Sequence, residues 1–184
     1  MSTFDKAIEV TLAHEGGFTD DPVDTGGATN WGVSLRFLKD AGDLDGDGVL
    51  DGDLDGDGDV DYDDIKKMAR AEAIRIYKLH FWDKYHYENI NDELIAMRMF
   101  DMCVNMGSKQ AAKLIQRAVT ECGQPGIVDD GALGPKSFAA INAVKGEKLI
   151  GEIRLQHVLF YLSLIANKPA YEKFKKGWLR RACA

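Results

Sequence analysis

Between residues 43 and 64 the chain reads DLDGDGVLDGDLDGDGDVDYDD, with eleven aspartates and no basic residue among them. No other segment restricts the fold as tightly. Left unneutralised, that density of like charge repels itself and keeps the segment disordered, so its folding has to be linked to the binding of a cation. A run of like charge ordinarily reads as a solvated linker. Here the aspartates recur at a ten-residue period, with glycine at every second or fourth position and two apolar plugs, and that regularity points to calcium. The segment also distorts the overall charge. The net charge is −7, and without these eleven aspartates the rest of the chain carries +4, a balance suited to an anionic cell envelope and giving no sign of a nucleic-acid partner.

An EF-hand loop places oxygen ligands at positions 1, 3, 5, 7, 9 and 12, the seventh through its carbonyl, with glycine at position 6 for the sharp turn. Counting from Asp53, these positions hold Asp53, Asp55, Asp57, the carbonyl of Asp59, Asp61 and Asp64, with Gly58 at the turn and Val60 as the apolar residue. An aspartate stands where the terminal glutamate is usual, as in dockerin-type loops. Counting from Asp43, the set is Asp43, Asp45, Asp47, the carbonyl of Val49 and Asp51, but Leu54 falls on the last position. This first half-site needs a ligand from elsewhere, and Asp53 is the nearest candidate.

A second constellation lies upstream. Phe4, Ala7, Ile8, Thr11 and Leu12 recur at helical spacing behind a Ser2/Thr3 cap, and Gly16-Gly17 ends the run, so Glu15 is expected at a helix C-terminus. The unpaired carbonyls there disfavour a carboxylate, and burial against Phe18 or Trp31 acts in the same direction, which suits a general acid. Asp24, in a glycine-rich loop, is expected to stay ionised and to orient a water or support positive charge at an anomeric carbon, with Thr29 holding the water. An isolated Glu-Gly-Gly or Asp-x-Gly would read as a helix end and a turn. The ordered series Glu15, Asp21-Pro22, Asp24-Thr25-Gly26-Gly27, Thr29 and Trp31-Gly32 is more specific.

That series resembles the EGGY/DPxDxGGxTxxG signature of the glycoside hydrolase family 108 muramidases, and its Glu, Asp, Thr spacing is close to that of phage-type lysozymes. The resemblance extends along the chain: Ala73-Ile74-Arg75-Ile76-Tyr77 leading to Phe81-Trp82-Asp83, Phe100–Gly107 against FDxxVNxG, Asp130–Ser137 against DGxxGPKT, and Phe174–Arg181 against the closing helix. It implies an all-α lysozyme-like fold, here with an inserted calcium-binding loop. It also implies hydrolysis of the N-acetylmuramic acid to N-acetylglucosamine bond of peptidoglycan, with Glu15, Asp24 and Thr29 as the catalytic residues. Asn30, Trp31 and Asn105 are candidate sugar contacts, because amides bind hydroxyl and acetamido groups and an indole face stacks on a pyranose. Each also has a structural reading, Trp31 as core and Asn105 as a helix end before Gly107.

One lysozyme-like unit is expected over 1–184, with a catalytic lobe at 1–107 that includes the 43–64 insertion and a helical peptidoglycan-binding region at 108–184. The pattern predicts helices near 3–15, 34–41, 63–80, 91–106, 108–122, 135–145, 147–166 and 170–182, and allows a short β-hairpin within 18–33. Trp82 and Trp178 are assigned to the core. Cys103 and Cys122 read as buried small hydrophobes and Cys183 as a free thiol. No signal peptide and no stretch of membrane-spanning length are expected. The implied setting is a monomeric bacteriophage endolysin made in the cytoplasm, released by a holin-like agent and acting on the cell wall. A lytic transglycosylase or chitinase on the same scaffold, and a non-enzymatic calcium-binding secretion regulator, are the competing readings. The basic tail, with Lys173, Lys175, Lys176, Arg180 and Arg181 against Glu172, reads equally as a solvated helix face or as a wall- or membrane-contacting one.

Overall fold

The computed structural model describes residues 1–13, 17–20 and 27–184. Among the described residues the structure is 65% helical with one two-stranded sheet, the all-α architecture expected, and the chain divides into two compact units, Met1–His86 and Tyr87–Ala184.

In the first unit, α1 (Thr3–Leu12) starts on a capping box: the Ser2 hydroxyl accepts from the Asp5 N–H while the Asp5 carboxylate accepts from the Ser2 N–H. Its buried face is Phe4, Ala7, Ile8, Thr11 and Leu12, the stripe read from the sequence. Strands β1 (Thr29–Asn30) and β2 (Val33–Ser34) pair antiparallel across Trp31-Gly32, and Thr19 bridges to Thr29 on the other side. Both turn residues have positive φ, 50° at Trp31 and 77° at Gly32, which a two-residue hairpin of this hand requires and a tryptophan adopts at a cost. Ser34 then caps α2 (Leu35–Ala41), whose Leu38 is fully buried.

The sequence pattern predicts one helix over 63–80, but the structure breaks it. Helix α3 (Tyr62–Lys67) stops at Met68, and α4 (Arg70–Tyr77) restarts after Ala69, whose N–H is taken by Glu72. The cause is distant in sequence. The Asn30 amide donates to the carbonyls of Ile65 and Met68 at 2.9 and 3.2 Å, satisfying the end of α3 so that it need not continue. A π-helical turn, Lys78–Asp83, extends α4 and brings His80 and Trp82 into the core, where Trp82 meets Phe4 edge-on.

The second unit packs α5 (Glu93–Met106), α6 (Ser108–Glu121), α7 (Pro135–Ala143), α8 (Gly146–Asn167) and α9 (Lys175–Cys183), with a short 3₁₀ turn, Pro169–Phe174, before α9. Helix α5, read from the sequence as part of a 1–107 lobe, packs on α6 and α8 within this unit. Its apolar face, with Ile95, Met99, Phe100, Met102 and Cys103, is almost wholly removed from water. Helix α8 corrects the expectation about apolar stretches: it is long and apolar enough by length and composition to cross a membrane, with a mean hydropathy of 1.3. The helix is apolar on two sides. Only one of them, Leu149, Ile153, His157, Tyr161 and Ile165, is buried in the unit.

Candidate active site and acidic loop

Glu15 and Asp24, the two carboxylates expected to do the chemistry, lie outside the described residues. The framework beside them is described. Thr29 sits on β1 with its hydroxyl 2.7 Å from that of Thr19, and the two backbones exchange hydrogen bonds at 2.8 Å in each direction. The Thr29 hydroxyl is therefore fixed in place at the edge of the hairpin. Asp20 accepts from the Tyr62 hydroxyl at 3.0 Å, and Phe18 meets the Tyr62 ring edge-on, which ties residues 18–20 to the start of α3. That hydrogen bond, with the negative charge behind it, raises the Tyr62 hydroxyl pKa above its ordinary value.

The structure gives two proposed sugar contacts clear structural work. Asn30 is 5% exposed and its amide ends α3, as described above. Trp31 donates its indole N–H to the Met68 carbonyl at 3.3 Å and accepts from the Tyr77 hydroxyl on its own carbonyl, contacts that hold its left-handed backbone. It remains half-buried.

The acidic segment is two copies of one turn. In the first, Asp43 accepts from the N–H groups of Gly46 and Gly48 at 2.7 and 2.9 Å; in the second, Asp53 accepts from Gly56 and Gly58 at 2.8 and 3.0 Å. Asp47 and Asp57 each accept from the N–H two residues on. Gly48 and Gly58 have φ of 89° and 96°, which explains glycine at the sixth position of both loops. Carboxylate oxygens converge within 4.8 Å in three groups: Asp43, Asp45 and Asp47; Asp53, Asp55 and Asp57; Asp59, Asp61 and Asp64. Val49, expected to offer its carbonyl, is half exposed. Crowding by Asp57 pushes the Asp59 carboxyl pKa above its usual value, with Asp61 and Asp64 acting in the same sense.

Two aspartates of the ladder are buried. Asp64 is 1% exposed and takes the N–H groups of Leu54, Asp55 and Asp61, which staples the second loop to its own beginning and caps α3. Asp51 closes the first loop and also pairs with basic groups outside it. Its carboxylate lies 2.9 Å from Arg75 and 3.0 Å from His80, it accepts from the Leu44 N–H, and its carbonyl accepts from Arg75 as well. Burial pushes the Asp51 carboxyl up, but Leu44, Arg75 and His80 together outweigh it and hold the pKa below the usual range. His80 is lowered by burial despite the carboxylate beside it, so a neutral ring donating to an ionised Asp51 is the favoured state. This cluster clamps the insertion onto α4 and the π-helical turn. Gly52, next in sequence, completes the close fit, since a Cβ there would lie 2.7 Å from the Leu38 carbonyl.

The sequence profile of the family described as Glycosyl hydrolase 108 matches residues 8–107. The chain belongs to that family. It is a glycosidase that acts on peptidoglycan. A second profile, described as a predicted peptidoglycan domain, matches residues 110–183 of this family 108 hydrolase. No curated protein matches the chain. Among solved structures it is similar to SagA from Brucella abortus, at 25% identity and a TM-score of 0.74, over 98% of this chain and 90% of that one.

In the second unit of the hydrolase, Asn105 is exposed at the end of α5, and its side-chain carbonyl accepts from Tyr161 at 2.5 Å. A shallow groove of about 370 Å³ opens beside it, lined by Met106, Gly107, Ser108, Lys109, Gln110 and Lys113. The Asp130-Gly131 turn has a structural explanation: Gln116 donates to Asp130 and to the Ala132 carbonyl and accepts from the Gly131 N–H. Cys103 and Cys122 are buried and Cys183 exposed, as expected, and burial pushes the Cys103 thiol up to about 11. Sequence reasoning missed two basic clusters, exposed Arg75 with buried Asp51 and His80, and buried Arg98 with His157. Arg98 donates to the carbonyls of Arg181 and Ala182, the C-terminal end of α9, and to His157 Nδ1 at 3.3 Å. The signal was an arginine or histidine inside an otherwise apolar helical stripe.

Proposed function

We propose that this hydrolase is an endolysin-type muramidase cleaving the β-1,4 bond from N-acetylmuramic acid to N-acetylglucosamine. In this reading Glu15 protonates the glycosidic oxygen, Asp24 stays ionised beside the anomeric carbon, and the Thr29 hydroxyl, oriented by Thr19, holds the water. The observation that carries it is the family match over residues 8–107, which contains all three residues in the order and spacing of the signature. Half-buried Trp31 is a further candidate sugar contact in the first unit, and exposed Asn105 is one in the second, taken separately. Monomeric action on the wall after release by a holin-like agent belongs to the same proposal. Loss of proton donation slows turnover by about a hundredfold to ten-thousandfold. Glu15→Gln is therefore expected to fold normally and to lose lysis of purified peptidoglycan by that factor, while the wild-type products carry reducing muramic ends. Near wild-type lysis by the variant overturns the acid assignment, and anhydromuramoyl products overturn hydrolysis in favour of a transglycosylase.

We further infer that the acidic loop binds calcium and that the ion regulates the enzyme. Support comes from the donor set, which is all hard oxygen at EF-hand spacing. The second loop offers two converging carboxylate groups, Asp53, Asp55 and Asp57 with Asp59, Asp61 and Asp64, against the one group of the first, Asp43, Asp45 and Asp47, where Asp51 is committed to Arg75 and His80 and Leu54 supplies no ligand. Bound calcium would supply positive charge that neutralises the ladder and so fixes α2 and α3 about it.

A further inference from the structure

Helix α8 carries a second apolar face that nothing in the unit covers. Its buried positions recur every four residues from Leu149 to Ile165. On the opposite side, at 3.6 residues per turn, lie Gly151, Leu155, Val158, Leu159, Leu162 and Ala166. Leu155, Leu159 and Leu162 are 48%, 49% and 39% exposed. The stripe is about 22 Å long and contains no charged residue. Single exposed leucines are ordinary, but a continuous outward stripe on a helix marks a contact surface.

The charges around the stripe identify its occupant. Lys148, one turn before Gly151, donates its ammonium to the Cys122 carbonyl at 2.9 Å and so belongs to the unit's own packing, while exposed Lys168 follows directly after the helix. Beyond it the chain continues with Lys173, Lys175, Lys176, Arg180 and Arg181 against one acidic residue, Glu172. Arg181 is paired with Asp101, whereas Lys173, Lys176 and Arg180 are exposed, and Phe174 is 43% exposed with the Lys173 ammonium 4.8 Å from its ring centroid. Exposed leucines followed by a run of exposed cations, with an aromatic among them, form the pattern of a helix lying in the headgroup region of an anionic bilayer. A purely polyanionic wall polymer would use the lysines and leave the leucines in water.

We propose that the second unit of this hydrolase docks on anionic phospholipid membranes, with the α8 leucine stripe entering the headgroup boundary and the 168–180 cations binding lipid phosphates. Such docking would hold the enzyme at the membrane face of the wall, and it does not depend on the muramidase or calcium readings.

The test is co-sedimentation of the full chain with vesicles in EDTA, which excludes calcium bridging between the aspartates and lipid phosphate. The protein should pellet with vesicles containing phosphatidylglycerol, not with phosphatidylcholine alone, and release as salt is raised. Leu155→Gln with Leu159→Gln should weaken binding at least about tenfold while leaving hydrolysis of soluble peptidoglycan fragments unchanged. Lys173→Gln and Lys176→Gln should each weaken it roughly fivefold. Three results overturn the proposal: no binding to anionic vesicles; binding that depends on the lysines but not the leucines, as for any polyanion; or a dimer in light scattering that the leucine changes dissolve, which makes a second copy the occupant.

Discussion

Asn30 and His157 show how single polar side chains, buried among apolar ones, fix both stability and its dependence on pH. Removing the Asn30 amide leaves the carbonyls of Ile65 and Met68 buried without that donor, a loss on the order of 1–3 kcal/mol. Asn30→Ala should therefore lower the melting temperature by several degrees in thermal unfolding; a residue that only touched sugar would raise KM and leave the melting temperature alone. His157 is fully buried, and burial together with the Arg98 guanidinium depresses its pKa to about 4. In the unfolded chain a histidine titrates near 6.5, so as the pH falls below about 6.5 the unfolded state binds the proton first. Stability is then lost progressively down to about pH 4, by roughly 3 kcal/mol in all. Urea unfolding at pH 7 and pH 4.5 should show this loss in the wild type and a flatter dependence in His157→Gln. Equal slopes would remove His157 as the cause.

At the level of elements, the acidic loop lies between α2 and α3 and is anchored at one point, Asp51, to α4 and the π-helical turn. Loops of this kind bind calcium with dissociation constants from about 10⁻⁷ to 10⁻³ M. At one hundred times the dissociation constant a bound ion adds about 2.7 kcal/mol. Chelation is thus expected to lower the melting temperature and the lytic rate, with calcium restoring both and magnesium doing so poorly because it dehydrates reluctantly. Asp53→Ala with Asp57→Ala should reproduce the chelated state, whereas a metal-free enzyme with full stability and activity would exclude the switch. The helices were legible in the sequence wherever apolar residues recurred at helical spacing, as in α1, α5 and α6. The break at Met68 was not, because its cause, Asn30, is 38 residues away. Asp51 was equally hidden: along the chain it is one aspartate of a regular ladder, and only the approach of Arg75 and His80 separates it from the rest. The catalytic signature was legible because its order is local, although Glu15 and Asp24 themselves lie outside the described residues.

For the whole molecule, the net charge of −7 divides into the eleven aspartates of 43–64 and a remainder of +4. The two parts act oppositely on a carboxylate-bearing wall: the remainder attracts it and the loop repels it. Each bound calcium adds two positive charges to the repelling part. Calcium should therefore strengthen adsorption to insoluble peptidoglycan as well as order the loop, and the electrostatic share of that gain should fade with salt as the Debye length falls from about 10 Å at 0.1 M to about 3 Å at 1 M. Glu15→Gln is the suitable form for the measurement, since a slowed enzyme leaves the wall intact while it is pelleted. At low ionic strength the pelleted fraction should rise on adding calcium, and at 1 M salt the calcium effect should disappear. Adding Asp53→Ala and Asp57→Ala removes two negative charges, so calcium-free adsorption should increase and the response to calcium should shrink. A pelleted fraction indifferent to calcium at low salt, or a calcium effect that persists undiminished at 1 M, would show that the loop does not govern adsorption through its charge.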